Sequence, residues 1–230
     1  RARAEELLKQ AVAEDPEFAS GYMHLAHAIR NQMRPSSDFL PFAERAFKLS
    51  ETTGERERYF IQGSYYTMIG QQDRAISSYG ALVRLYPDHF WGVNNLSNLY
   101  YRKGEIERTV EYYARRADLR PNDFLANFRA WESADQARDT ARSARYLERA
   151  RRLVTAEDYE LHPSEVVTLE FAPARESRRQ GDLPAVLREI RGLEQTYPSR
   201  TADARNALAQ HVSILYFQLG MLRAAREWIE

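Results

Sequence analysis

Glycine and proline recur in this chain at a spacing that favours one architecture. Three glycines each precede a proline by 17 residues: Gly70 and Pro87, Gly104 and Pro121, Gly181 and Pro198. The first two pairs lie 34 residues apart, and the third follows the second by 77 residues. A period near 34 residues is typical of a solenoid of helix-turn-helix units, in which each unit buries its apolar face only against its neighbours. The spacing therefore predicts an extended array of helix pairs.

Residues 54–87 show the physical logic of one such unit. Apolar residues follow one another at three- and four-residue spacing in each half, which predicts two amphipathic helices. Gly70 lies between the halves, where glycine can adopt a positive φ and end the first helix. The small residues Gly63 and Ala75 allow the two helices to approach closely, and Pro87 cannot continue the second helix. Residues 88–121 repeat this plan.

Two stretches carry a recognisable family pattern: YFIQGSYYTMIGQQDRAISSYGALVRLYP and VNNLSNLYYRKGEIERTVEYYARRADLRP. Both closely match the order of a large residue, leucine, a small residue, tyrosine, glycine, alanine, an aromatic residue, alanine and proline. The chain thereby resembles the tetratricopeptide repeat (TPR) family over nearly its whole length. The resemblance implies an all-α fold, a right-handed superhelical solenoid of antiparallel helix pairs. Residues 55–88 further resemble the TPR arrays of bacterial signalling proteins, which follow a serine/threonine kinase or a winged-helix DNA-binding domain.

The same pattern divides the chain into units. We expect a partial unit at residues 1–18, units at about 19–53, 54–87, 88–121, 122–157 and 164–198, and a partial unit at 204–230. Because both ends fall on second helices, we expect the sequence to be a fragment of a larger protein. Three irregularities are predicted: a turn at residues 35–41, a long connector at 155–163, and a kink or break at Pro173. Arg138 occupies a turn position at which the family has glycine.

In TPR arrays the first helices of successive units line a concave groove that receives an extended peptide or a partner helix. The resemblance places these residues in that groove: His24, His27, Arg30, Glu57, Phe60, Ser64, Trp91, Asn94, Asn95, Asn98, Tyr101, Arg102, Phe128, Arg129, Glu132, Arg175 and Arg178. Arginine suits carboxylates and aromatic residues are rigid anchors, so we expect a protein or peptide ligand, with an acidic or carboxylate-ended segment as one option. Asn94, Asn95 and Asn98 could hold its main chain through paired donors and acceptors. The alternative is that these are ordinary solvated helix positions.

Composition excludes several classes of function. The chain has 33 basic and 33 acidic residues, so no overall field draws it to nucleic acid or to an anionic membrane. Cysteine is absent, which excludes disulfides and thiol chemistry. No apolar run reaches the roughly 18 residues of a membrane span. None of these observations identifies a compartment.

Catalytic motifs are scarce in the sequence. It contains no glycine-rich phosphate loop and no HExxH motif. His24 and His27 lie one turn apart, but no third metal ligand follows from the sequence. We therefore expect a non-catalytic scaffold without cofactor or metal. Two alternatives remain open: a sensor or regulatory segment of a bacterial serine/threonine kinase or transcription regulator, and a self-association module that forms homo-oligomers through the open ends at residues 4–11 or 213–228.

Overall fold

The computed structural model of the chain describes residues 2–196 and 201–228. Every regular element in these two ranges is a helix, which confirms the all-α class. Residues 1–119 and residues 120–230 form two compact units, each with its own packing. Pro198, the last residue of the predicted glycine–proline spacing, lies outside the described residues.

The first unit consists of helix pairs joined by short turns. Helix α1 (Ala2–Glu14) is followed by the pair α2 (Ala19–Arg30) and α3 (Ser36–Leu49), and a short 3₁₀ helix (Ser50–Thr52) leads into the next pair. That pair is α4 (Glu55–Met68) and α5 (Gln72–Leu85), and the last is α6 (Phe90–Lys103) and α7 (Ile106–Leu119). The two helices of each pair pack against each other, α4 also packs on α2, and α6 also packs on α5. This is the antiparallel helix-pair arrangement of a TPR-like solenoid.

The second unit has more and shorter helices. It contains α8 (Phe124–Gln136), α9 (Thr140–Leu153), α10 (Ala156–Leu161), α11 (Pro163–Glu170), α12 (Ala172–Arg179), α13 (Leu183–Thr196), α14 (Ala202–Gln218) and α15 (Leu222–Glu227). Helices α8 and α9, α12 and α13, and α14 and α15 form the helix pairs, and α11 packs on α14. Its apolar cluster includes Phe171, Val186, Ile190, Leu208 and Val212.

One close contact shows why a small residue is needed in the first unit. Gly63 of α4 faces the ring of Tyr79 on α5, and a Cβ atom added to Gly63 would lie 2.7 Å from two ring carbons. Tyr79 is almost fully buried, together with Ala75 and Leu82 of the same helix. The absence of a side chain at Gly63 therefore sets the distance between α4 and α5.

The turns inside the helix pairs share one backbone conformation. Positive φ angles occur at Met33, Gly70, Gly104, Arg138, Gly181 and Gly220, each of which follows the first helix of a pair. Glycine adopts this left-handed conformation without strain, whereas a residue with a Cβ atom does so at a cost of about 1–2 kcal/mol. Met33 and Arg138 have φ angles of 60°, so the backbone of each is strained at a turn position that glycine occupies in the other helix pairs.

Replacing Met33 by glycine is expected to raise the free energy of unfolding by about 0.5–1 kcal/mol, because the left-handed strain is relieved. Met33 is 93% exposed, so the substitution removes little packing. Chemical denaturation of the purified chain measures the change, and Met33→Leu is the control that keeps the strain. An equal stability of the two variants would contradict the assignment of strain to this turn.

One of the predicted irregularities is wrong, and another contains a short helix. Residues 35–41 do not form a turn, because α3 already begins at Ser36 and includes Pro41. Pro41 leaves one intrahelical hydrogen bond unmade, and the burial of Phe39 and Ala43 on either side offsets that loss. The long connector predicted at residues 155–163 contains the short helix α10, which begins with a capping box between Thr155 and Asp158.

Pro173 breaks its helix. Helix α11 ends at Glu170, Phe171 links the two segments with φ −75° and ψ −4°, and α12 begins at Ala172. Pro173 lies in the first turn of α12, where its missing N–H needs no partner. The arginines that follow it therefore belong to a separate helix of eight residues.

Candidate functional site

Helix α6 presents a continuous polar and aromatic stripe in the first unit. Trp91 is 55% exposed and Tyr101 is 59% exposed. Between and beside them lie the half-buried Asn94, Asn95 and Asn98 and the exposed Arg102. These positions follow a three- and four-residue spacing, which places them on one side of the helix. The opposite side carries the buried residues Val93, Leu96, Leu99 and Tyr100.

Asn95 is tied to the core by hydrogen bonds. Its Nδ2 donates to the hydroxyl of Tyr79 at 2.7 Å, and its Oδ1 accepts from Nδ2 of Asn94 at 3.2 Å. The Tyr79 hydroxyl also lies 2.9 Å from Oγ of Ser64. Burial raises the pKa of Tyr79 to about 12, so its hydroxyl stays protonated at neutral pH. Asn95 therefore has only part of its amide left for a ligand, and Asn94 is held beside it.

The hydrogen bond between Tyr79 and Ser64 has a counterpart one repeat later. The hydroxyl of Tyr113 donates to Oδ1 of Asn98 at 3.1 Å. Asn98 follows Ser64 by 34 residues, and Tyr113 follows Tyr79 by 34 residues. The Nδ2 group of Asn98 has no hydrogen bond to the described residues, so it remains available as a donor on the α6 stripe.

Phe60 of α4 is the centre of an aromatic group. Its ring centroid lies 6.3 Å from that of His24, 6.4 Å from His27 and 5.6 Å from His89. Its distance from the Tyr79 ring is 6.3 Å. The predicted residues His24, His27 and Phe60 are therefore brought together, and the Tyr79 ring connects them to Asn95.

His27 is the most perturbed group of this cluster. Its Nε2 atom is buried and has no hydrogen-bond partner within the described residues. Burial, with smaller effects from the charges of Arg30 and His24, lowers the pKa of His27 to about 4. His27 is therefore neutral at physiological pH, and its Nε2 atom is a buried polar atom without a partner among the described residues.

Two other predicted residues have structural roles in the first unit. Glu57 accepts a hydrogen bond from the backbone N–H of Ser20 at 3.1 Å and another from its hydroxyl, so it holds the start of α2. Ser64 is fully buried and forms part of the Tyr79 network, so the expectation that it lines an open groove is wrong. Arg30 is half-buried on α2.

The predicted residues of the second unit fall into three groups. Phe128 is 1% exposed and packs on Trp131 at a centroid distance of 5.5 Å, so it belongs to the core and not to a ligand face. The reason is that α8 buries most of its circumference. Arg129 binds Glu132 at 2.8 Å and Glu165 at 3.1 Å. Arg175 and Arg178 instead line a cavity of about 440 Å³ on the side of α12.

Several residues of these sites could not be identified from the sequence. The family pattern did not reveal that the hydroxyls of Tyr79 and Tyr113 reach Ser64, Asn95 and Asn98. His89 accepts from the backbone N–H of Gly92 at 3.0 Å and caps α6, and its position before a predicted helix was the signal for this role.

Residues 2–196 and 201–228 contain neither a candidate metal-binding cluster nor a candidate membrane-spanning helix. No group of three or more histidine, aspartate or glutamate side chains there could hold a metal ion. None of the helices in these ranges has the length and apolar character needed to cross a lipid bilayer.

Comparisons with known proteins bear on the fold. No family model matches the chain, and no curated protein matches it. Solved structures do match. A chain of the APC/C hetero-tetramer Cut9–Hcn1 has a TM-score of 0.64 at 15% identity, over 98% of this chain and 41% of that one. PilF of Pseudomonas aeruginosa has a TM-score of 0.61 at 15% identity, over 91% of both chains.

YrrB is a third similar structure, described as a TPR protein with an unusual peptide-binding site. Its TM-score is 0.60 at 14% identity, and the match covers 95% of this chain and 100% of YrrB. These likenesses establish the fold: the chain has the helix-pair fold of the tetratricopeptide repeat, and the recognition made from the two sequence stretches is confirmed.

Proposed function

We propose that the chain is a non-catalytic module that binds an extended protein segment along the inner faces of α2, α4 and α6 in its first unit. The observation that carries this proposal is the α6 stripe, in which two large aromatic side chains are exposed beside amide groups. Aromatic side chains provide large contact areas at low entropic cost. YrrB, which shares the fold, is described as having a peptide-binding site, and this supports the same use here.

The dimensions of the stripe suit a short extended peptide. Trp91 and Tyr101 are ten residues apart on α6, a rise of about 15 Å along the helix axis. An extended strand covers that distance with about five residues. The Nδ2 group of Asn98 can donate to a main-chain carbonyl of that segment, and the guanidinium of Arg102 lies at the same end as Tyr101. We expect Asn95 to contribute indirectly, because its amide is committed to Tyr79.

The proposal is tested with peptides selected on the intact chain from a displayed library of random twelve-residue sequences. The triple variant Trp91→Ala, Tyr101→Ala, Arg102→Ala is expected to weaken the selected peptides at least tenfold in fluorescence anisotropy. All three side chains are exposed, so the melting temperature should change little.

The matched control changes exposed residues of similar type on the second helices: Arg84→Ala, Leu85→Ala and Ile106→Ala. It should bind the same peptides within twofold of the parent. Equal affinities of the triple variant and the parent would exclude the α6 stripe as the binding face.

A further inference from the structure

The cavity beside α12 in the second unit has an unusual charge distribution. Its lining comes from the end of α8, the following turn, α12 and α14. Four arginines line it, Arg138, Arg175, Arg178 and Arg179, against a single carboxylate, Asp135. Asp135 accepts a hydrogen bond from Arg179, which also binds Glu176 at 3.2 Å. The acidic charge of the lining is therefore already matched.

The other three arginines have no carboxylate partner among the described residues. Arg178 donates to the neutral side chain of Gln218. Arg175 is half-buried, and no hydrogen bond from its guanidinium to the described residues is formed. Burial lowers the pKa of the Arg175 guanidinium, while the more distant carboxylates of Asp135 and Glu132 act in the opposite direction. A partly desolvated charge without a partner is unfavourable, and an anionic ligand relieves that cost.

The floor of the cavity is apolar. Phe171 and Leu215 are buried there, and Ile214 remains exposed beside them. His211 forms a wall, because its ring stacks on Phe171 at a centroid distance of 5.4 Å. Both ring nitrogens of His211 are occupied, Nδ1 by the carbonyl of Ala207 at 2.9 Å and Nε2 by the hydroxyl of Thr168 at 3.0 Å. Anion recognition here consequently falls to the arginines.

We infer that this cavity is a binding site for an acidic peptide, in which Arg175 and Arg178 hold a side-chain carboxylate and the Phe171–Ile214–Leu215 floor takes a neighbouring apolar side chain. Arginine binds carboxylates bidentately through its planar fork. A volume of about 440 Å³ is within the range of small ligand sites, about 300–1,000 Å³. This inference does not rest on the α6 stripe, which lies in the other compact unit.

The surroundings favour a peptide over a nucleic acid. A nucleic acid backbone needs an extended basic surface that contacts several phosphates. Here Glu132, Asp135 and Glu176 lie close to the arginines of the cavity, so the positive charge does not form an extended basic surface. The chain as a whole has equal numbers of basic and acidic residues. A short segment with one or two carboxylates and an apolar neighbour matches this arrangement.

The test uses the full chain and a fluorescein-labelled octapeptide, acetylated and amidated, with a central Leu-Glu-Asp-Leu sequence. The partner probe replaces the two acids with Gln and Asn. We expect saturable binding of the acidic peptide, at least tenfold tighter than that of its amide counterpart. The double variant Arg175→Gln, Arg178→Gln is expected to abolish that difference, and Asp135→Asn is expected to tighten binding several-fold because it removes the opposing charge.

The control variant Arg188→Gln, Arg191→Gln removes two exposed arginines from α13 and should keep the parent affinity. The triple variant of the α6 stripe should also bind the acidic peptide as the parent does, so failure of either proposal is distinguishable. No saturable binding of the acidic peptide below millimolar concentration, or equal loss in the α13 control, would overturn the inference. A single-stranded RNA decamer that binds more tightly through Arg175 and Arg178 would also overturn it.

Discussion

Gly63→Ala is expected to lower the free energy of unfolding by about 1–3 kcal/mol, the usual range for overpacking a well-packed interior. The new Cβ atom would lie 2.7 Å from the ring of Tyr79, closer than carbon atoms can approach. The ring has no room to retreat, because it is buried and its hydroxyl is held by Ser64 and Asn95. Denaturant unfolding followed by circular dichroism measures the loss.

Gly80→Ala is the matched control for this prediction. Gly80 lies inside α5, and a Cβ atom there would meet no atom within 4 Å. Alanine has the higher helix propensity, so this variant should gain up to about 1 kcal/mol. The two Gly→Ala changes in one helix pair are thus expected to have opposite signs. A stabilising effect at both positions would show that α4 and α5 are not in close contact at Gly63.

Acid is expected to destabilise the chain through His27, by about 3 kcal/mol between pH 7 and pH 4. In the unfolded chain His27 takes up a proton near its ordinary pKa of 6.5, whereas in the folded chain its pKa is lowered to about 4. The unfolded state therefore binds more protons in this window, and one unit of pKa difference corresponds to about 1.4 kcal/mol. The stabilisation is fully present above pH 6.5 and is lost as the pH falls toward 4.

The contribution of His27 is isolated by difference, because carboxyl groups also titrate in acid. His27→Gln removes the titrating group, so its stability should fall less between pH 7 and pH 4 than that of the parent. His24→Gln, one turn away on the same helix, keeps His27 and should retain the acid-induced loss. Parallel pH profiles for the parent and His27→Gln would show that His27 is not buried in its neutral form.

Sequence periodicity predicted the helix pairs because local signals determine them. Gly70, Gly104 and Gly181 were expected in turns, and each has a positive φ angle there. Met33 adopts the same conformation without any glycine signal, so the packing of α2 on α3 imposes it. Pro41 shows the reverse case, in which a residue that normally ends helices is accommodated within one.

The candidate sites were less accessible to sequence reasoning, since they depend on contacts between helices. Transfer of the family positions brought together His24, His27 and Phe60, and it located the α6 stripe. It also included Phe128, because position in a repeat does not report how deeply a particular helix is buried. The positive charge of Arg175 lacks a carboxylate partner because the nearby Asp135 accepts a hydrogen bond from Arg179. The sequence alone does not show which arginine binds Asp135.

The break at Pro173 has a consequence for the position of the arginines of α12. Helix α12 is a separate helix of eight residues that packs on α13. Its direction is therefore set mainly by this packing. Arg175 and Arg178 therefore lie at the cavity because α12 packs on α13.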